Sequence, residues 1–318
     1  MRTPVCDLLN IEYPVLQGGM AWLGTAELVS AVSQAGGLGF IGAGNAPADW
    51  VRQQIRLTRQ RTDRPFGINI MLMSPSVKEV VDVVIEEKVP VVATGGGNPA
   101  TLIPRLKAAG AKVLPVVSSV ALARRLERAG ADAIVAEGME SGGHVGETTT
   151  MCLVPQVVDA VSIPVVAAGG IADGRGMAAA LSLGAQAVQM GTRFICTEEC
   201  IAHASFKSKL LDARDRATAV SGHSLGHPVR ALENKMARLF STMEKAGASP
   251  QELEAFGSGK LYLGVIQGDI ENGSLMAGQI AGLIHDIKPV REVIRDVVAQ
   301  AEAVIGEMAR GIRKEAHV

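Results

Sequence analysis

Four times in this chain a helical pattern ends in glycine and a short apolar run begins at once. The joints are Ala35-Gly36-Gly37 before residues 38–41, Gly110 before Lys112–Val117, Gly130 before residues 133–135, and Gly184 before Ala187–Met190. A glycine just past a helix end takes up the left-handed backbone that closes the helix. A strand that is apolar on both faces is what a parallel sheet buries. Followed along the chain, the pattern yields eight strands: Val15–Gln17, then residues 38–41, 66–71, 91–93, 113–117, 133–136 and 164–168, and finally Ala187–Met190. Each but the last leads into a helical pattern, such as residues 25–35, Ala48–Arg61 or residues 77–87. Ser74-Pro75 and Asn98-Pro99 read as an N-cap followed by proline at the first helical position. Eight alternating units predict an α/β fold, a (β/α)8 TIM barrel. An open doubly wound sheet is the alternative, because periodicity does not show closure.

The rhythm stops after Phe194. Residues 196–268 contain SGHSLGHPVRALENKMARLF and a polar helical region near 250–256, without a parallel-strand pattern. From about Asp269, GDIENGSLMAGQIAGLI reads as a helix with small residues, and residues 289–310 as a long amphipathic helix. The simplest arrangement is a barrel of residues 1–196 plus 270–318. A small lid domain, residues 197–269, is then inserted after the eighth strand, leaving a barrel close to the typical size of about 250 residues.

Composition removes several functions. Hydrophobic residues make up 47% of the 318, enough for a large core, whereas aromatics at 3% do not supply stacking platforms for single-stranded nucleic acid. Lys+Arg 31 against Asp+Glu 32 leaves no global field, so neither nucleic acid nor an anionic membrane is an expected partner. No apolar run reaches transmembrane length and MRTPVCDLLN has no signal-peptide core, so a cytoplasmic protein is expected. Cys6, Cys152, Cys196 and Cys200 are too scattered for a disulfide framework. Cys196, Cys200 and His203 lack a four-ligand set, and no metal site is predicted. Arg230, Lys235 and Arg238 read as a basic edge or a solvated helix face, and His223 and His227 as loop residues beside Gly226 and Pro228.

The functional end of a parallel barrel is where strands run into loops. In VVAAGGIADGRGMAAALSLGAQAVQMGTRF the seventh and eighth strands end in Gly169-Gly170 and Gly191-Thr192, around a helix that Asp173 caps. Parallel pairing makes the two turns neighbours, with bare N–H groups suited to a phosphate; two ordinary barrel turns are the alternative. The first strand ends in Gln17-Gly18-Gly19-Met20-Ala21, the third carries Asn69 in an apolar run, and the fourth ends in Thr94-Gly95-Gly96-Gly97. The sixth runs into Glu137-Gly138-Met139-Glu140-Ser141-Gly142-Gly143-His144. A histidine after two glycines on that face is a candidate acid or base, against the alternative of a hydrogen-bonded structural residue. Glu137 contacts a ligand or satisfies the loop backbone.

These motifs resemble the FMN-dependent enoyl-acyl-carrier-protein reductase II family, within the nitronate monooxygenase (2-nitropropane dioxygenase-like) group. The resemblance runs through YPVLQGGMAW, AGGLGFIGAGN, PFGINIML, AEGMESGGHVGETTT, the VVAAGG…MGTRF stretch, GHPVRALEN and GSLMAGQIAGLI, in that order over nearly the whole chain. Residues 245–262 depart most. The resemblance implies FMN at the barrel mouth, its phosphate against Gly169, Gly170, Gly191 and Thr192. Gly19, Met20, Ala21 and Asn69 would line the ring and ribityl side, with Glu137, Ser141 and Gly142 nearby. Met276 and Gln279 would close over it from the returning helix. The implied reaction reduces trans-2-enoyl chains on acyl carrier protein at the expense of NADH or NADPH, with His144 as proton donor and a homodimer as the expected assembly. A monovalent-cation requirement is left open. Nitronate oxidation by oxygen, a non-redox barrel lyase or isomerase gripping a sugar phosphate, and a non-catalytic flavin- or phosphate-binding regulator are the rival readings.

Overall fold

The computed structural model describes residues 1–315 and contains a closed parallel barrel. Its strands are β1 (Val15–Gln17), β2 (Leu38–Gly42), β3 (Gly67–Met71), β4 (Val91–Gly95), β5 (Lys112–Val117), β6 (Ile134–Glu137), β8 (Val165–Ala168) and β9 (Ala187–Met190). A two-residue strand, β7 (Gly143–His144), interrupts the count within the loop after β6. Closure is explicit in the register: β9 pairs back onto β1 with Leu16 opposite Gln189. The open-sheet alternative is thereby excluded.

The glycine joints work as the sequence implies. Gly36, Gly110, Gly130 and Gly184 all lie at φ between 88° and 96°, just beyond helix C-caps. In each case the next N–H reaches back over the helix end: Gly37 to Val32 O, Ala111 to Leu106 O, Ala131 to Leu126 O and Ala185 to Ala180 O. That is the Schellman closure, and it launches the following strand in a fixed direction.

Strand alternation divides the core into two layers. Leu16, Phe40, Ala93, Leu114, Val135 and Val166 fill the barrel interior. Helix Pro4–Leu9 plugs the lower end with Val5, Cys6 and Leu9. Val15, Ile41, Ile68, Val92 and Val113 face the surrounding helices. The closing helix Val290–Glu315 packs on Gly174–Ser182, where a Cβ on Gly174 would fall 2.4 Å from the Ala301 nitrogen.

Between β9 and the closing helix lie strands β10 (Thr218–Ser221) and β11 (Val229–Leu232), with helices Ala204–Leu211, Lys235–Lys245, Pro250–Gly257 and Lys260–Val265. Strand β11 pairs antiparallel with β10 on one side and β7 on the other, placing Val229 opposite His144 and Arg230 opposite Gly143. The insertion is thus stitched into the barrel loop after β6. Asn234 adds a second tie, its amide donating to Ile270 O and Gly273 O.

Three local expectations are corrected. Ser74 and Asn98 do not cap helices: their side chains accept from Ser76 N and Ala100 N, forming local turns, and the helices begin at Val77 and Ile103. The small-residue stretch from Asp269 is not a helix but an extended strap ending in the 3-10 turn Gln279–Leu283. Its glycines allow backbone to meet backbone instead: a Cβ on Gly278 would lie 2.7 Å from Glu140 O, and one on Gly273 would lie 2.3 Å from the Gly264 Cα. Arg230 belongs to no outward basic edge, for its side chain is buried on β11, donating to Met139 O and the Thr218 hydroxyl.

Candidate active site at the barrel mouth

The residues singled out in the sequence all fall on the C-terminal edge of the barrel or on the strap that crosses it. Gly19, Met20 and Ala21 follow β1, Asn69 sits in β3, Glu137 ends β6, and Ser141, Gly142 and His144 lie in the next loop. Gly169 and Gly170 follow β8, Gly191 and Thr192 follow β9, and Met276 and Gln279 lie on the strap. Close contacts gather them. A Cβ on Gly19 would fall 2.2 Å from Asn69 Cβ, one on Gly142 2.6 Å from the Ala277 carbonyl carbon, and one on Gly191 3.7 Å from Met20 Sδ. The strap is held by Gly278 N–H donating to Thr192 Oγ1 at 2.9 Å and Gln279 N–H donating to Glu140 O at 2.9 Å. The Gln279 side chain itself is exposed; what this residue contributes to the closure is its backbone.

The paired glycine turns are adjacent because Ala168 of β8, directly before Gly169, sits opposite Gln189 of β9, two residues before Gly191. Gly169 and Gly170 take φ of 87° and 73°, a conformation L side chains resist. The N–H groups of Gly170, Gly191 and Thr192 have no hydrogen-bond partner among the described residues. The helix Gly174–Ser182 contributes less than its position suggests, because the Asp173 carboxylate already accepts from Arg175 N and Gly176 N. Nearby cations are also engaged: Arg175 with Asp173, and Arg193 with Asp286 at 2.7 Å. An anion here would be held by backbone N–H groups.

The rest of the mouth carries buried polar atoms without protein partners: Asn69 Oδ1, Ser141 Oγ and Gln189 Oε1. Orphaned polar atoms are costly unless a ligand or water meets them. Three of them around one barrel opening, beside bare N–H groups, fit a large polar, phosphate-bearing ligand such as a flavin nucleotide. Gln189 is a further site residue that the motifs do not name, although a lone polar residue within the otherwise apolar strand AVQM is a signal for it. A groove of about 700 Å³ elsewhere, between Ser205 and Arg238, includes none of the predicted site residues.

Two titratable groups are perturbed. Burial pushes the Glu137 carboxyl up to about 7. Glu137 is therefore a hydrogen-bond donor for part of its population at neutral pH. Glu140, its neighbour in the loop, is spent structurally: it accepts from Thr150 N at 2.9 Å and from the Thr150 hydroxyl at 2.9 Å, anchoring the loop to helix Thr150–Val158. Burial, and secondarily the adjacent His227, lowers the His144 pKa and so favours its neutral imidazole. The His144 and His227 rings lie with centroids 5.8 Å apart, a pairing that separate sequence motifs did not reveal. Cys196 and Cys200 are buried thiols raised to about 11, and His203 caps helix Ala204–Leu211.

The chain is similar to known proteins over most of its length. FabK from Thermotoga maritima superposes with a TM-score of 0.96 at 54% identity, covering 98% of this chain and 99% of that one. A Mycobacterium tuberculosis protein, (3aS,4S,5R,7aS)-5-hydroxy-7a-methyl-1-oxo-octahydro-1H-indene-4-carboxyl-CoA dehydrogenase, is 35% identical over 95% of this chain and 96% of its own length. A probable nitronate monooxygenase of Staphylococcus saprophyticus is 38% identical over 74% of this chain and 79% of its own. The family model described as nitronate monooxygenase matches residues 2–84 and 76–300. With barrel, glycine turns and histidine loop in place, the chain belongs to the nitronate monooxygenase family.

Proposed function

We propose that this protein is an FMN-dependent enoyl-acyl-carrier-protein reductase, saturating trans-2-enoyl thioesters with NADH or NADPH. The observation that carries the reading is the FabK likeness, which extends over 98% of the chain at 54% identity. The Mycobacterium tuberculosis relative supports the substrate class, since its name places a CoA thioester at the centre of a redox reaction.

When bound, the flavin would supply the hydride-transfer chemistry between the nicotinamide and the enoyl thioester. The protein positions, shields and moves protons. Gly169, Gly170, Gly191 and Thr192 would hold the phosphate through backbone N–H groups. Asn69 and Glu137 would offer hydrogen bonds to the ring and ribityl portions, and Gly19, Met20, Ala21, Ser141 and Gly142 would complete the cradle. Met276 and Gln279 bring the strap over the mouth and exclude water. His144 delivers the proton that the substrate α-carbon needs, or stabilises the enolate-like oxygen that precedes it. Residues 197–269 act as the lid that receives the acyl carrier protein and its chain. A cytoplasmic homodimer completes the proposal.

Nitronate oxidation is the second reading, favoured by the family model and by a neutral His144 able to act as a base. Purified protein under nitrogen separates the two. Enoyl-dependent oxidation of NADH or NADPH supports the reductase; oxygen uptake with a nitronate, and no enoyl-dependent oxidation, overturns it.

A further inference from the structure

We infer that His227 is the positioning and proton-relay partner of His144, the two imidazoles working as one proton-holding pair. This rests on the reductase reading, in which His144 serves the substrate.

The pairing is built, not incidental. Strand β7 presents His144 opposite Val229, and Val145 N–H donates to Pro228 O at 3.0 Å, fixing residues 227–229 against the loop that carries His144. The turn leading to His227 is pinned from behind by Glu244, which accepts from Gly222 N at 3.0 Å and from Ser224 N at 2.8 Å. Gly222 and Gly226 supply φ of 87° and 75°, and Pro228 stiffens the exit. The outcome is two half-buried rings at 5.8 Å between centroids and 57° between planes. Other charged groups around the pair are engaged or solvated. Arg230 is tied to Met139 and Thr218, Glu140 to Thr150, and Glu244 to the turn of His223, while Glu147 is exposed.

The chemistry requires such a partner. A neutral imidazole that gives its N–H proton to carbon is left as a strongly basic anion unless its other nitrogen gains a proton in the same event. Hydride addition to the β-carbon moves the double-bond electrons onto the thioester as an enolate. A C–H bond then forms at the α-carbon as the His144 N–H bond breaks. An N–H proton of His227 forms a new N–H bond on the opposite nitrogen of His144 while the second nitrogen of His227 takes a proton from solvent. His144 stays neutral throughout.

The test uses full-length, flavin-loaded protein. Histidine ring signals are titrated by NMR in wild type and His227→Gln, and kcat and KM are followed from pH 5 to 9. The His144 titration should move to higher pH when His227 is replaced. The kcat of His227→Gln should fall about 10-fold or more at neutral pH with KM little changed. Added imidazole should restore part of the kcat of His227→Ala. An unmoved His144 titration, or an unchanged kcat at every pH, overturns the relay. If His144→Gln is impaired while His227→Gln is not, the relay alone falls. If His144→Gln keeps full turnover, the assignment of His144 falls and takes the relay with it.

Discussion

Replacing Gly170 by alanine tests the phosphate site without disturbing the rest of the mouth. The wild-type residue sits at φ 73°, so an L side chain there is strained by about 1–2 kcal/mol. Space is not the obstacle: the nearest atom to an added Cβ is Glu140 Cβ at 3.4 Å, an ordinary contact. The fold should therefore survive, with Tm lowered by a few degrees at about 2–4 °C per kcal/mol for a large domain. Strain relief should instead rotate the turn and misaim the Gly170 N–H. A hydrogen bond to a charged group is worth about 1.5–3 kcal/mol, which corresponds to roughly 10- to 100-fold in affinity. The assay is fluorescence titration of the flavin-free protein with FMN and, separately, with riboflavin. Gly170→Ala should weaken FMN by at least about 10-fold and leave riboflavin nearly unchanged. Equal losses for the two ligands, or no loss for FMN, would refute a phosphate held at these turns.

Other outcomes follow from the same geometry. Because burial raises the Glu137 carboxyl to about 7, its stabilising share is complete below its unfolded value of 4.5 and is lost as pH rises to 7. Thermal melts of flavin-free protein should show Glu137→Gln gaining on wild type across that window and holding its advantage above it. His144→Gln should cut enoyl reduction by about 100-fold or more at unchanged flavin content, measured by NADH or NADPH oxidation. Tyr262 of the insertion meets Trp22 of the β1 loop edge-on at 5.1 Å, and Trp22 is held at φ 66°. Tyr262→Ala should loosen that contact, worth about 0.5–1.5 kcal/mol, and quicken limited proteolysis within residues 197–269 while leaving Tm nearly constant.

The barrel was legible because its signals are local. Gly36, Gly110, Gly130 and Gly184 each announce a helix end and the strand behind it, and parallel pairing then makes Gly170 and Gly191 neighbours. Local signals fail where one composition serves two structures. In the strap, Gly273 and Gly278 resemble small residues on a helix face, yet they exist so that backbones can meet at Gly264 and Glu140. Ser74 and Asn98 carry side chains equally fit for a cap or for the two-residue turn they make. Long-range pairing is harder still. Nothing near His227 names His144 as its neighbour, because their contact is made by a two-residue strand too short to leave a pattern. Arg230 misleads for the same reason: it looks like surface charge until β11 is placed between β10 and β7.

The most direct measurement follows NADH and NADPH absorbance under nitrogen, with purified protein and a trans-2-enoyl thioester carried on acyl carrier protein. The account predicts nicotinamide oxidation that depends strictly on the enoyl substrate and yields the saturated thioester. Absence of that dependence, with oxygen consumed when a nitronate is supplied in air, would contradict it.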